Sequence, residues 1–272
     1  MSYEKLVNHR IESRFSFYAA VCVALIALGV LAGWHLHMRA LVQVIPGTIP
    51  MQYNTALCFL VLSFSAGAML RRRELFPTIG GGFAALMGAL VIFQYAAGIT
   101  LGVDTFFFFP WEQTLSAHPG RMALTSAISF TVAGIALILF SQRQRTLVFF
   151  VIAHTLPLSL GLTSLLGYLF GITYVLPFRL GSQMAVHTAT AFTIYGGAML
   201  FYAWQYIPQN QDGMPKWMPG IAVVMVPVFF VSLSSSLQNS SLPARIVQFL
   251  FAFIGFALPQ NNLTKGELNN EH

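Results

Sequence analysis

Histidines in or beside apolar segments are the side chains of this sequence that could do chemistry, because ionisable groups in such segments are costly and often functional. His35 or His37 could bind haem together with His187. Met184 and His187, three residues apart on one helical face, could bind copper. His154 lies about two turns inside another segment, so we expect it at a different depth from His187. We favour the simpler interpretation that these histidines hydrogen-bond neighbouring helices or water, and we assign no metal and no cofactor.

Enzyme chemistry has little support in the sequence. The apolar segments contain no paired carboxylates and no lysine in mid-segment, and neither a Walker motif nor H-E-x-x-H occurs. We therefore expect no catalytic residues and no enzyme activity.

A nine-residue motif of the form M-x-x-x-[TS]-A-x-x-F occurs three times. Its copies are MQYNTALCF at 51–59, MALTSAISF at 122–130 and MAVHTATAF at 184–192. Met, Thr or Ser and Phe recur at a spacing of four, so they share one face of a helix. Capping and packing explain any single position. The residues three after each Met are chemically different, however, and packing alone does not require that: they are Asn54, Thr125 and His187.

A second motif, Y-x-x-G-I-T, ends the segments that precede two of these copies, at 95–100 and 168–173. Three helical hairpins around a pseudo-threefold centre would bring the Thr and Ser positions of the first motif together, in a pocket that opens outward. The candidate ligand-binding residues are Met51, Asn54, Thr55, Phe59, Met122, Thr125, Ser126, Phe130, Met184, His187, Thr188, Phe192, Tyr95 and Tyr168.

Composition sets the class of protein. Of the 272 residues, 56% are hydrophobic and 8% are charged, against about 25% charged in a soluble domain. The sequence therefore predicts an all-α, polytopic integral membrane protein and excludes an ordinary soluble enzyme. Seven or eight membrane-spanning helices are expected, at about 16–34, 51–70, 76–98, 122–140, 147–170, 183–204, 217–237 and 246–259. The last is short, and an interfacial helix is the alternative there.

The distribution of Lys and Arg predicts the orientation. Ten of these residues fall on one side of the predicted membrane, which puts the N-terminus in the cytoplasm. The four on the other side are Arg39, Arg121, Arg179 and Arg245. The net charge of +6 also suits an anionic lipid leaflet, and we do not expect nucleic-acid binding. Residues 1–15 form a cytoplasmic segment, 16–259 the membrane domain with hairpins at about 16–70, 76–140 and 147–204, and 260–272 a polar tail too short for an output domain.

The predicted outer loop at 101–121 concentrates aromatic residues around Asp104 and Glu112. An aromatic belt at the membrane interface explains this composition without a ligand. A lid over the pocket, or a surface that senses lipids or quinones, is the functional alternative.

The phrases NTALCF, HPGRM before a Thr/Ser-Ala pair, LLGYLFGI and MAVHTA resemble a known family. They are similar to the N-terminal multi-helix membrane sensor modules that precede histidine kinase, PAS or diguanylate cyclase domains in bacterial signalling proteins. The resemblance covers about residues 16–236. It implies a module of the bacterial inner membrane that perceives a signal, a cytoplasmic kinase or cyclase partner, and a homo-oligomer. The sequence departs from the family in that no kinase, cyclase or PAS segment follows.

We therefore expect a sensor that perceives a small, lipid-like or membrane-state signal near its extracytoplasmic face and relays it through helix packing. The rival from another class is a haem- or metal-binding redox subunit. A transporter ranks last, because the predicted midplane offers almost no polar path.

Overall fold

The computed structural model describes residues 3–71, 73, 75–112, 118–142, 146–169 and 184–204, with side chains from residue 14 onward. This part of the chain is all-helical and contains no strand. Its helices are α1 (Tyr3–His35), α2 (Arg39–Val42), α3 (Tyr53–Leu70), α4 (Leu75–Ala97), α5 (Leu124–Gln142), α6 (Leu147–Leu169) and α7 (Val186–Trp204). The predicted spans at 217–237 and 246–259 and the tail at 260–272 lie outside the described residues.

Five of these helices are long and apolar enough to cross a membrane, which is consistent with a membrane protein: Arg14–His35 of α1, then α3, α4, α5 and α6. Their ends lie within a few residues of those that the apolar runs predict. The helix α7 is not among the five. Its His187, three threonines, two tyrosines and one tryptophan lower its mean hydropathy. The four-residue helix α2 has no counterpart in the predictions.

The six long helices close into a ring in which each one packs against the next. The order around the ring is α1, α3, α4, α5, α6, α7 and back to α1, and α3 also contacts both α5 and α7. The helices α3, α5 and α7 therefore form the inner group, and α1, α4 and α6 lie outside them. Buried aromatic and small residues of the inner group fill the centre.

Glycines allow two outer helices to approach their inner neighbours closely. A Cβ atom on Gly88 of α4 would lie 2.4 Å from the carbonyl oxygen of Ala127 on α5, and one on Gly161 of α6 would lie 2.7 Å from that of Ala189 on α7. Backbone atoms cannot move aside as a flexible side chain can, so a larger residue would force each pair apart. In a membrane, where lipid is as apolar as the core, such close packing is a main source of helix association.

The inner helices all begin at one end of the bundle, which we call the motif end: residues 36–52, 98–112, 118–123 and 184–185. The outer helices α1, α4 and α6 end there. Gly120, just before α5, has a φ of +80°, and a Cβ on it would lie 2.7 Å from the Asp104 carbonyl oxygen. Only glycine fits this position, where the segment just before α5 lies against the segment that follows α4.

Candidate functional site

Aromatic side chains tie the start of each inner helix to the end of an outer one. Trp34 Nε1 donates a hydrogen bond to the Met51 carbonyl oxygen at 2.8 Å, Tyr95 Oη to that of Met122 at 3.1 Å, and Tyr168 Oη to that of Met184 at 2.8 Å. The three acceptors are the first residues of the three motif copies. Trp34 replaces the missing Y-x-x-G-I-T tyrosine in α1. The position of Trp34 next to the end of α1 was the sequence signal for this hydrogen bond.

The structure brings three motif hydroxyls around one cavity at the motif end, which we call the motif-end cavity. Thr55, Ser126 and Thr188 all line it, and each is only 2% exposed. The cavity measures about 10 Å³, which is room for about one water-sized particle. Its wall includes Met51, Met122, Gln52 and Arg121.

The three motif phenylalanines form a cluster one helical turn deeper, which we call the phenylalanine triad. The ring of Phe59 lies 4.8 Å from that of Phe130 and 4.5 Å from that of Phe192, centre to centre, and Phe130 and Phe192 are 4.8 Å apart. All three side chains are fully buried. The triad is the floor between the motif-end cavity and the rest of the bundle, and it couples α3, α5 and α7 by direct contact.

The remaining predicted pocket residues have other neighbours. Asn54 Nδ2 donates a hydrogen bond to the Gly120 carbonyl oxygen at 3.2 Å and so holds the loop before α5. Met184 is buried, but its neighbour Ala185 lines the cavity in its place. Thr125 and His187 are half-buried and do not line the cavity. The three positions that differ in chemistry therefore do not share one environment.

A buried ion pair closes the motif end between α4 and α5. Arg121 Nε lies 2.9 Å from Asp104 Oδ2, and both side chains are almost completely buried. Gln94 connects them: its Nε2 donates to Asp104 Oδ1 at 3.1 Å, and its Oε1 accepts from the Leu101 N–H at 2.7 Å. Arg121 Nη2 also donates to the Ile99 carbonyl oxygen at 3.3 Å. This network satisfies each charged group, as burial requires.

Sequence reasoning missed this network. It treated Arg121 as an outer topology charge and Asp104 as a loop residue, and it passed over Gln94. The available signals were the position of Arg121 directly before the second motif and that of Gln94 directly before Tyr95. Neither signal shows that the two join through Asp104, because that contact depends on the path of the loop.

Phe108 and Trp111, in the loop predicted at 101–121, cover the end of α1. Trp111 Nε1 donates to the Trp34 carbonyl oxygen at 3.0 Å, and the Phe108 ring stacks on Tyr53 with the ring centres 5.1 Å apart. Arg39 and Glu112 form an ion pair at 2.8 Å, in which Arg39 is largely exposed. Phe106 and Phe109 point outward. Part of the loop is therefore packed over the bundle, and part offers apolar rings to its surroundings.

The histidines considered for haem or copper have different neighbours. His35 Nε2 is 3.2 Å from the hydroxyl oxygen of Tyr53, and the His37 ring lies against Trp111. Within the described residues, no group of three or more His, Cys, Asp and Glu side chains is arranged to hold a metal ion. Haem or metal binding through His35, His37, His187 and Met184 stays the alternative that the sequence offers.

A second polar cluster lies between α6 and α7, away from the motif end. His154 and Tyr195 are fully buried with ring centres 5.6 Å apart. His154 Nδ1 lies 2.8 Å from the Phe150 carbonyl oxygen, so it carries the proton and Nε2 offers a lone pair. Within the described part of the chain, His154 Nε2 and the Tyr195 hydroxyl have no hydrogen-bond partner. Such groups are uncommon in protein cores.

No family model, no curated protein and no solved structure matches this chain.

Proposed function

We propose that the protein is a membrane-embedded sensor module of a bacterial inner membrane, with its N-terminus in the cytoplasm and its ligand site in the motif-end cavity. In this proposal the chain has seven to eight spans, α7 among them, and its first six are three related hairpins. Matching contacts of the hairpins support the relation: a hydrogen bond from an outer-helix aromatic residue to the first carbonyl of each motif.

The observation that carries the proposal is the convergence of Thr55, Ser126 and Thr188 on one small cavity above the phenylalanine triad. A ligand there touches all three inner helices at once. If it binds one packing of these helices more tightly than another, it shifts the population toward that packing. The triad has to repack when the helices change spacing, because its rings touch across all three interfaces.

The relay to the cytoplasm follows from the length of the inner helices. They run continuously for 18 or 19 residues from the motif end, about 27 Å or more at 1.5 Å per residue. A change of spacing at their starts therefore reaches their far ends. There a cytoplasmic kinase or cyclase, or a second copy of this chain, would detect it.

A reporter fusion tests the proposal. The full chain is fused through its C-terminus to a diguanylate cyclase domain, and cyclic di-GMP is measured in cells while the salt and the membrane lipids are varied. We expect the output to change with the external medium, and Phe130→Ala to abolish the change at an equal membrane level of protein. Thr190→Val, on the same helix as Thr188 but outside the cavity, is the control. An output that stays constant in every condition would overturn the proposal.

The redox alternative is tested by an absorption spectrum and a metal analysis of the purified protein. A haem band or stoichiometric copper, lost on replacement of His187, would make the redox function the better account. The sensor proposal expects neither.

A further inference from the structure

Three helix N-termini meet at the motif-end cavity. The first backbone hydrogen bonds inside the inner helices are Ala56 N–H to Gln52 at 3.1 Å, Ala127 N–H to Ala123 at 3.0 Å and Ala189 N–H to Ala185 at 2.9 Å. These bonds have the same register relative to each motif. The N–H groups before them have no acceptor within the helix, and each helix start carries about half a positive charge. Together they favour a negative ligand.

Two hydroxyls that line the cavity are free to bind that ligand. Ser126 and Thr188 are each 2% exposed, and within the described residues neither hydroxyl forms a hydrogen bond. Other hydroxyls of the same helices behave differently: Ser129 and Thr190 each donate to the carbonyl oxygen four residues earlier, at 2.8 and 2.9 Å. Both side chains are almost completely buried and both line the cavity, so a particle bound there would be their hydrogen-bond partner.

The carbonyl oxygens that could accept from these two hydroxyls each accept a hydrogen bond from a tyrosine. The carbonyls four residues before Ser126 and Thr188 belong to Met122 and Met184, and they already accept hydrogen bonds from tyrosines at 3.1 and 2.8 Å. Neither hydroxyl donates to this carbonyl, which is the acceptor that a helical Ser or Thr ordinarily uses. They remain as donors toward the cavity.

Charge and size narrow the ligand further. Arg121 lines the cavity, and none of the described residues that line it carries a carboxylate. The Arg121–Asp104 pair is neutral as a whole, so the helix starts decide the sign of the local potential. The space of about 10 Å³ is small, so a monatomic anion fits it more readily than a carboxylate, a phosphate or a lipid headgroup.

We infer that the motif-end cavity binds a single halide-sized inorganic anion, held by the hydroxyls of Ser126 and Thr188 and by the N-terminal N–H groups of α3, α5 and α7 beside Arg121. The inference rests on the proposed function, since it names the ligand class of the same site. It names a smaller ligand than the lipid-like one considered from the sequence.

The test uses the full chain purified in mild detergent and titrated with sodium chloride or bromide against sodium gluconate at constant ionic strength. We expect the melting temperature Tm to rise to a plateau with either halide and to stay level with gluconate. Thr188→Val and Ser126→Ala each remove one donor to an anion, so the apparent Kd should rise at least about tenfold. Thr190→Val should bind as the wild type does.

Bromide diffraction supplies a measurement that does not depend on any variant. A crystal of the wild-type protein grown in bromide should show one anomalous peak among Ser126, Thr188 and Arg121. The inference is overturned if Tm is the same in halide and gluconate, or if only water occupies the cavity.

The two proposals can fail separately. Halide binding together with a reporter fusion that ignores every external condition supports the anion site and overturns the sensor function. A fusion that responds to lipid or salt in the absence of halide binding overturns the anion site and leaves the sensor function standing.

Discussion

The hairpin of α4 and α5 and the hairpin of α6 and α7 have the same frame but carry their polar groups at different depths. Gly88 and Gly161 approach the same atoms on their partner helices, the carbonyl of an alanine and the side chain of a threonine four residues later. Gly134 lies against the carbonyl of Gly81, and Gly196 lies in the same way against that of His154. The frame of each hairpin is thus made by small residues, and other positions are free to differ.

The difference between the hairpins is chemical. The first has an ion pair at the motif end, Arg121 with Asp104, in which the charged groups have partners. The second has His154 and Tyr195 in its interior, with a lone pair and a hydroxyl unpartnered within the described residues. The first arrangement is typical of a contact that stabilises the fold, and the second leaves a hydrogen-bond donor and acceptors unused. Variants that affect one hairpin and not the other test whether this distinction holds.

The largest effect is expected at the ion pair. Arg121→Met leaves Asp104 charged and buried without its partner, which should lower the free energy of unfolding by about 3–5 kcal/mol. Unfolding in a mixed-micelle SDS titration measures it. Arg121→Met combined with Asp104→Asn should recover much of the loss, because the uncompensated charge is gone.

The exposed ion pair of the same loop is the matched control. Arg39 is 73% exposed where it meets Glu112, so Arg39→Met should cost less than about 1 kcal/mol. If Arg121→Met and Arg39→Met lowered the free energy of unfolding equally, the buried pair would not be the contact that stabilises this hairpin.

The helices were predictable from the sequence because uncharged apolar runs have the length that a membrane requires. The start of α6 at Leu147 and its end at Leu169 agree with the prediction to within one residue. Residues 217–237 and 246–259 lie outside the described chain, so the count of seven or eight spans stays a prediction. The hairpin repeat also stays a prediction, although the paired contacts of Gly88 and Gly161 support it.

The candidate site was predictable from the sequence only where the spacing of residues along a helix decides which face they share. A stripe at spacing four placed Thr55, Ser126 and Thr188 on corresponding faces, and they do line one cavity. That they bind a ligand stays a prediction. The same register could not predict Arg121 as a wall of that cavity, because its position depends on a loop whose path follows from Gly120 and Asp104. Nor could it predict that Tyr195 lies against His154, which depends on the rotation of α7.

An intermediate effect is expected at the glycines of the shared frame. Gly88→Ala and Gly161→Ala place a Cβ at 2.4 and 2.7 Å from a backbone carbonyl oxygen, and such overpacking costs about 1–3 kcal/mol. SDS unfolding should show similar losses in both hairpins. A loss of stability in only one of them would show that the two hairpins do not share this close packing.

Glycines with open space beside them are the controls for this pair. A Cβ on Gly82 or Gly197 meets no atom within 4 Å. Their replacement by Ala should be neutral or should stabilise the helix by up to about 1 kcal/mol, since Ala has the higher helix propensity. If these changes cost as much as Gly88→Ala, helix propensity or lipid contact, and not close approach, would account for the losses.

The smallest effects separate tyrosines that share a residue type and differ only in their partners. Tyr168→Phe removes a hydrogen bond to the Met184 carbonyl oxygen and should cost about 0.5–1.5 kcal/mol. Tyr195→Phe removes a buried hydroxyl that has no partner in the described residues, so the free energy of unfolding should stay level or rise, because a desolvated polar group disappears. Both variants keep the ring and its packing, so the difference between them isolates the hydroxyl. A loss at Tyr195 equal to that at Tyr168 would mean that the Tyr195 hydroxyl has a partner, of which a water bridging to His154 Nε2 is the simplest, and the second hairpin would then hold a satisfied polar site like the first.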